Sequence, residues 1–127
     1  MNLEKVVFGF FILLALTLNF GFFIGELTDP DQHNVYEFFA ALVVNLIATV
    51  MKFGERTHLG ALLLASSLVA DLQLIAAAVV WGMALHVWAG GMSAPVVASI
   101  VSLAGGALLA NVVSVTLLIV ETVSLQR

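Results

Sequence analysis

The sequence predicts an all-α fold: a polytopic transmembrane four-helix bundle, one domain over residues 1–127, suited to homo-oligomer formation. Three observations carry this. Hydrophobic residues make up 62% of the chain and charged residues 9%, with a mean hydropathy of +1.16. A soluble domain carries roughly 25% charged residues, so this chain cannot cover itself with polar surface and lipid must solvate much of it. Apolar runs recur four times between short polar breaks. Finally, all four basic residues, Lys5, Lys52, Arg56 and Arg127, fall on one side of a four-span arrangement. A three-span arrangement would put Arg127 opposite Lys5.

A bilayer core of about 30 Å needs roughly 20 residues as a helix, because lipid leaves no partner for an open backbone group. The first span is predicted over 6–25. Lys5 resembles the charge ahead of a signal peptide, but the apolar run is about twice a usual signal core and no A-x-A site follows. The expectation is a retained anchor. Glu26 to Asn34 is polar and holds Pro30, which reads as a turn-rich loop.

The second span is predicted over 37–53. Its uncharged part, Phe38 to Met51, is short for a crossing. A re-entrant segment would bury Lys52, Glu55 and Arg56 in hydrocarbon at a cost of several kcal/mol, so a thin, locally mismatched span is expected.

After a tight polar turn at Gly54–His58, the third span covers 59–89. This is either one long tilted helix or a span that ends near Val80 and bends at Gly82. The bend would put Trp81, His86 and Trp88 in the headgroup belt that tryptophan favours. Gly90, Gly91 and Pro95 then break the chain, proline being acceptable in a first helical turn. The fourth span covers 95–120.

Orientation follows from the charges. The side opposite the four basic residues receives Glu26, Asp29, Asp31 and Glu37 and no Lys or Arg. The positive-inside rule therefore expects both termini in the cytoplasm.

The fourth span carries small residues at every fourth position: Ala94, Ala98, Ser102, Gly106, Ala110 and Ser114. Such rows let helices approach closely in lipid, where van der Waals packing drives association. The row is a packing seam, between copies of the chain or within one chain. Gly21 and Gly25 form a shorter version on the first span. All nine phenylalanines precede residue 54, so the first two helices are expected to be bulky or lipid-facing.

Asp71 is the sharpest polar feature. It lies 12–13 residues into the third span, roughly 18 Å along a helix that starts at the inner surface. An ionised carboxylate at that depth is costly, so Asp71 must be protonated, paired or facing water. Helical spacing aligns Ser67, Asp71, Ala78, Gly82 and His86, with Gln73 about 200° away from Asp71. On the second span Asn45, Thr49 and Lys52 share a face, and on the fourth Asn111 and Ser114 share one. Asn19 is the in-span asparagine of the first.

Two readings of Asp71 follow: a cation or proton site on an ion pathway with Ser67, Asn45, Thr49 and Asn111, or a structural acid bonded to Asn45, Thr49, Asn111 or a snorkelling Lys52. Glu26, Asp29, Asp31, His33 and Glu37 form an outer acidic group. Its oxygen ligands suit a divalent cation, though their spacing matches no EF-hand; the group equally fits a cation-attracting rim or a loop that only sets topology.

Much is excluded. There are no cysteines, hence no disulfide or thiolate chemistry. The chain has a net charge of −4 and no basic tract, which argues against nucleic acid. The three histidines make no metal or haem pattern, and no catalytic constellation is legible, so no cofactor, no metal and no enzyme activity are expected.

The stretch from Phe8 to Trp81, FGFFILLALTLNFGFFIGELTDPDQHNVYEFF through VVNLIATVMKFGERTHLGALLLASSLVADLQLIAAAVVW, resembles a family of small inner-membrane proteins of Gram-negative bacteria associated with potassium-channel components. The resemblance carries over no site residues and implies ion transport. The combined expectation is a homo-oligomeric cation channel or channel component. The alternatives are a non-conducting accessory or scaffold subunit of a larger membrane complex and a proton-coupled carrier.

Overall fold

The computed structural model describes residues 3–24, 35–54 and 57–125, with side chains through residue 123. Four helices follow in order: α1 (Leu3–Phe23), α2 (Val35–Lys52), α3 (His58–His86) and α4 (Ala94–Leu125). Among the described residues there is no strand. Each helix is long and apolar enough to cross a membrane.

Local chemistry sets the boundaries. Thr57 caps α3, its hydroxyl accepting from the Gly60 N–H at 2.9 Å, which satisfies one of the unpaired donors of a helix start. Gly54 and Gly91 turn the chain at φ +84° and +62°, a region open to glycine without steric cost. Pro95 stands in the first turn of α4.

The predicted bounds hold to within a few residues, with two differences. α3 runs through Gly82 without a break and ends at His86, which selects the long-helix reading over the bend. Trp81 accordingly turns inward against Phe22 and Phe38 instead of joining a headgroup belt. α4 continues five residues beyond the expected end at Val120. Its last described turns are held where Glu121 accepts from the Lys5 ammonium of α1 at 2.8 Å.

The helices pack in cyclic order, α1 on α2, α2 on α3, α3 on α4 and α4 on α1, with the α3–α4 interface the most extensive. The Lys5–Glu121 pair puts the start of α1 beside the end of α4, so this is the terminal end of the bundle and the opposite end is the far end.

Two apolar clusters fill the interior. The far cluster joins Phe22, Phe38 and Ala41 to Ala70, Leu74 and Ala77 of α3 and to a run of α4 from Val97 to Ala110. The terminal cluster joins Phe8, Ile12, Ala48 and Leu63. Phe8, Phe22 and Phe38 are fully buried, while Phe10, Phe20, Phe39 and Phe53 are exposed. The lipid-facing expectation for the aromatic helices therefore holds for only part of them. The inward rings fit because α3 and α4 oppose them with alanines, which leave room for bulk without a void.

Candidate functional site: a buried polar layer between two apolar clusters

Each helix changes character between the two clusters. On α1, Asn19 lies between Ile12 and Phe22. On α2, Asn45 lies between Ala41 and Ala48. On α3, Ser66 and Ser67 lie between Leu63 and Ala70. On α4, Asn111 and Ser114 follow Ala110. All of these polar residues are buried. Thr49 and Asp71 are also buried and stand one residue beyond Ala48 and Ala70, at the edges of the layer. Asp71 is midway along α3, about 20 Å of helix rise from His58.

Asp71 and Thr49 are brought together across the α2–α3 interface: the Thr49 hydroxyl is hydrogen-bonded to Asp71 Oδ2. The same hydroxyl lies 2.9 Å from the Asn45 carbonyl one turn back on its own helix. Asn45 Nδ2 donates to the Ala41 carbonyl at 2.9 Å. On the other side of α3, Ser66 and Ser114 share a hydroxyl–hydroxyl bond at 2.5 Å.

The rest of the layer is poorly paired. Among the described residues, both side-chain polar atoms of Asn19 and Asn111 are buried without a hydrogen-bond partner in the chain. Asn45 Oδ1, Ser67 Oγ, Asp71 Oδ1 and Gln73 Oε1 share that condition. A buried polar group left unsatisfied costs about 1–3 kcal/mol, and in hydrocarbon no solvent offsets it. Packing alone would not select such a layer, because leucine or alanine at these positions would fill the space more cheaply. Unpaired oxygens and amides converging on one level suit a site that binds something small and polar.

The expected pathway residues thus divide. Asp71 and Thr49 touch. Ser67 sits one turn from Asp71 on the same face of α3, and Asn45 and Asn111 enter the layer from α2 and α4. Gln73 points away from Asp71, and its amide lies against Gly106 of α4, where an added Cβ would stand 2.6 Å from Nε2.

Lys52 marks the terminal side of the layer. It is only 5% exposed, and its ammonium lies 4.3 Å from the centroid of the Phe8 ring, a cation–π arrangement that eases burial of the charge. On the far side, Phe22, Phe38, Phe39 and Trp81 form an aromatic cluster with ring centroids 5.0–6.4 Å apart. Apolar side chains therefore close the layer at both ends.

Of the outer acidic group, Glu26, Asp29, Asp31 and His33 lie outside the described residues, as does Gly25. Glu37 stands in the first turn of α2, its carboxylate lying against the bare backbone of Gly21.

The ladder on α4 does not run as one straight seam. Successive i+4 positions turn by about 40° around an α-helix, so the row spirals. Ala110 and Ser114 are buried, Ala98 and Gly106 are half-buried, and Ser102 is exposed. Gly105, adjacent to the row, makes room for the Phe23 ring of α1. On the outer surface, Phe23, Ser102, Gly105, Gly106, Leu108 and Leu109 line a shallow groove of about 530 Å³.

Sequence reasoning missed the Lys5–Glu121 pair, the Ser66–Ser114 bond and the Lys52–Phe8 contact. The first was findable: once four antiparallel spans are assumed, a basic first turn of α1 faces an acidic last turn of α4.

No curated protein and no solved structure matches the chain. A family model, described as a family of unknown function, matches residues 32–122. The match takes in α2, α3 and nearly all of α4, with Asn45, Thr49, Ser67, Asp71 and Asn111, and leaves α1 and Asn19 outside it. On that match, the chain belongs to the DUF6394 family.

Proposed function

We propose that this membrane protein transports a small cation across a bacterial inner membrane, with both termini cytoplasmic and Asp71 as the acid that engages the ion. One observation carries the reading: a buried acid with an unpaired oxygen, in a layer of unpaired polar groups closed by apolar clusters on both sides. An ionisable residue held inside a membrane is costly and marks ion or proton pathways.

The closure also bears on mechanism. Within one chain the apolar clusters block an open aqueous pore, so the geometry favours a carrier-type, occluded site over free conduction through the bundle. A channel would need its pathway between copies of the chain. The concentration of positive charge at the terminal end, with Lys5 and Lys52 there, supports the cytoplasmic orientation.

The test is flux through purified protein in liposomes, driven by gradients of H⁺, Na⁺ or K⁺. The wild type is expected to move one of them, and Asp71→Asn to slow that flux at least about tenfold. Equal rates would remove Asp71 from the mechanism.

A second reading, an accessory subunit docked on a larger membrane complex, is favoured by the exposed part of the α4 ladder at Ser102. It predicts no flux from the isolated protein, and a native membrane partner whose co-purification is lost in Ser102→Leu.

A further inference from the structure

A threonine hydroxyl has one hydrogen and donates once. Thr49 Oγ1 has two oxygen neighbours, the Asn45 carbonyl at 2.9 Å and Asp71 Oδ2. A carbonyl accepts only, and so does an ionised carboxylate. With Asp71 ionised, both contacts would have to share that one hydrogen, leaving each acceptor poorly satisfied. With Asp71 protonated, both contacts are satisfied: Oδ2–H donates to Thr49 Oγ1, and Thr49 donates its own hydrogen to the Asn45 carbonyl. The unpaired Oδ1 is then the carbonyl oxygen of a neutral acid, which loses far less on leaving water than a carboxylate oxygen does.

The surrounding charges leave this arrangement intact. The other ionisable residues on the four described helices are Glu4 and Lys5 on α1, Tyr36, Glu37 and Lys52 on α2, His58 and His86 on α3, and Glu121 on α4. Lys5 pairs with Glu121 at the terminal end. Glu4, Tyr36, Glu37, His58 and His86 occupy first or last helical turns. Lys52 is nearest in register, one turn from Thr49, and its ammonium lies over Phe8.

We infer that the ligand of the polar layer is a proton, held on Asp71 Oδ2 and locked there by Thr49; this rests on the reading of Asp71 as the ion-engaging acid. The step is an O–H bond made with a proton from water on one side and broken to return it to water on the other. On release, the Thr49 hydrogen turns from the Asn45 carbonyl to the new carboxylate. The two protonation states thus correspond to two hydrogen-bond arrangements at the α2–α3 interface. A metal cation would instead require the ionised carboxylate and would leave that hydroxyl with two competing acceptors.

The test is infrared difference spectroscopy on the full chain in vesicles at neutral pH, wild type minus Asp71→Asn. The expected result is a carboxylic-acid carbonyl band that shifts in deuterium oxide and disappears in Asp71→Asn. The band should move to higher frequency in Thr49→Val, stay in place in Thr49→Ser, and persist when choline is exchanged for Na⁺ or K⁺ at fixed pH. A carboxylate signature for Asp71, or loss of the acid band on adding Na⁺ or K⁺, overturns the inference. Cation flux from a protein whose Asp71 is ionised overturns the proton and leaves transport standing. An acid band in a protein that moves no cation supports the proton and overturns transport.

Discussion

Phe38→Ala is expected to destabilise the bundle by about 3 kcal/mol, the lower end of the range for truncating a buried phenylalanine. Phe38 is fully buried and its ring meets Phe22 at 5.0 Å, Phe39 at 5.1 Å and Trp81 at 5.4 Å between centroids. The lower end applies because unfolded helices remain in lipid, so the water-transfer part of the usual cost is small and the lost packing dominates. Titration with a denaturing detergent, followed by tryptophan fluorescence, measures it, since Trp81 sits in the same cluster. The midpoint should fall sharply, and emission should change before unfolding begins. Phe38→Leu should recover most of the loss. A Phe38→Ala midpoint equal to wild type would mean that the aromatic cluster does not hold the far ends of α1, α2 and α3 together.

Ala107→Leu is the second large effect, acting by excess volume. Ala107 has no exposed surface and belongs to the far cluster with Ala70, Leu74 and Ala77 of α3. Three added carbons in filled space force the helices apart or strain rotamers, at about 1–3 kcal/mol. The loss is expected at the upper end because α3–α4 is the most extensive interface. The same detergent titration reads it. Gly106→Ala provides the contrast. The nearest neighbours of its new methyl are the amide atoms of Gln73, a flexible group that can swing away, so its midpoint should stay close to wild type. If both variants behaved alike, the interface would be loosely packed.

The four spans were legible because lipid imposes one requirement, an apolar helix of sufficient length, and composition alone meets it. The polar layer was half legible. Helical spacing put Asn45, Thr49 and Lys52 on one face and sent Gln73 away from Asp71, and both hold. The partner of Asp71 stayed open among Asn45, Thr49, Asn111 and Lys52, because spacing within a helix says nothing about the axial offset of its neighbour. That offset comes from packing, with Ser66 meeting Ser114 and Phe8 entering the terminal cluster. The α4 ladder divides between buried and exposed positions for a geometric reason: a four-residue repeat looks like a stripe in sequence yet winds around a helix of 3.6 residues per turn. The phenylalanines misled because abundance does not give direction, and three of them point inward.

The unequal lengths of the helices have a consequence for the surrounding lipid. α2 has 18 residues and α4 has 32, rises of about 27 Å and 48 Å. Acyl chains beside α2 must compress while those beside α4 meet a hydrophobic flank longer than themselves, each ångström of mismatch costing a fraction of a kcal/mol. The molecule therefore presents a wedge to the bilayer, thin along one side and tall along the other. Its orientation and neighbours will respond to membrane thickness, and a composition change that thickens the leaflets bears first on α2, the helix that holds Thr49 against the buried acid.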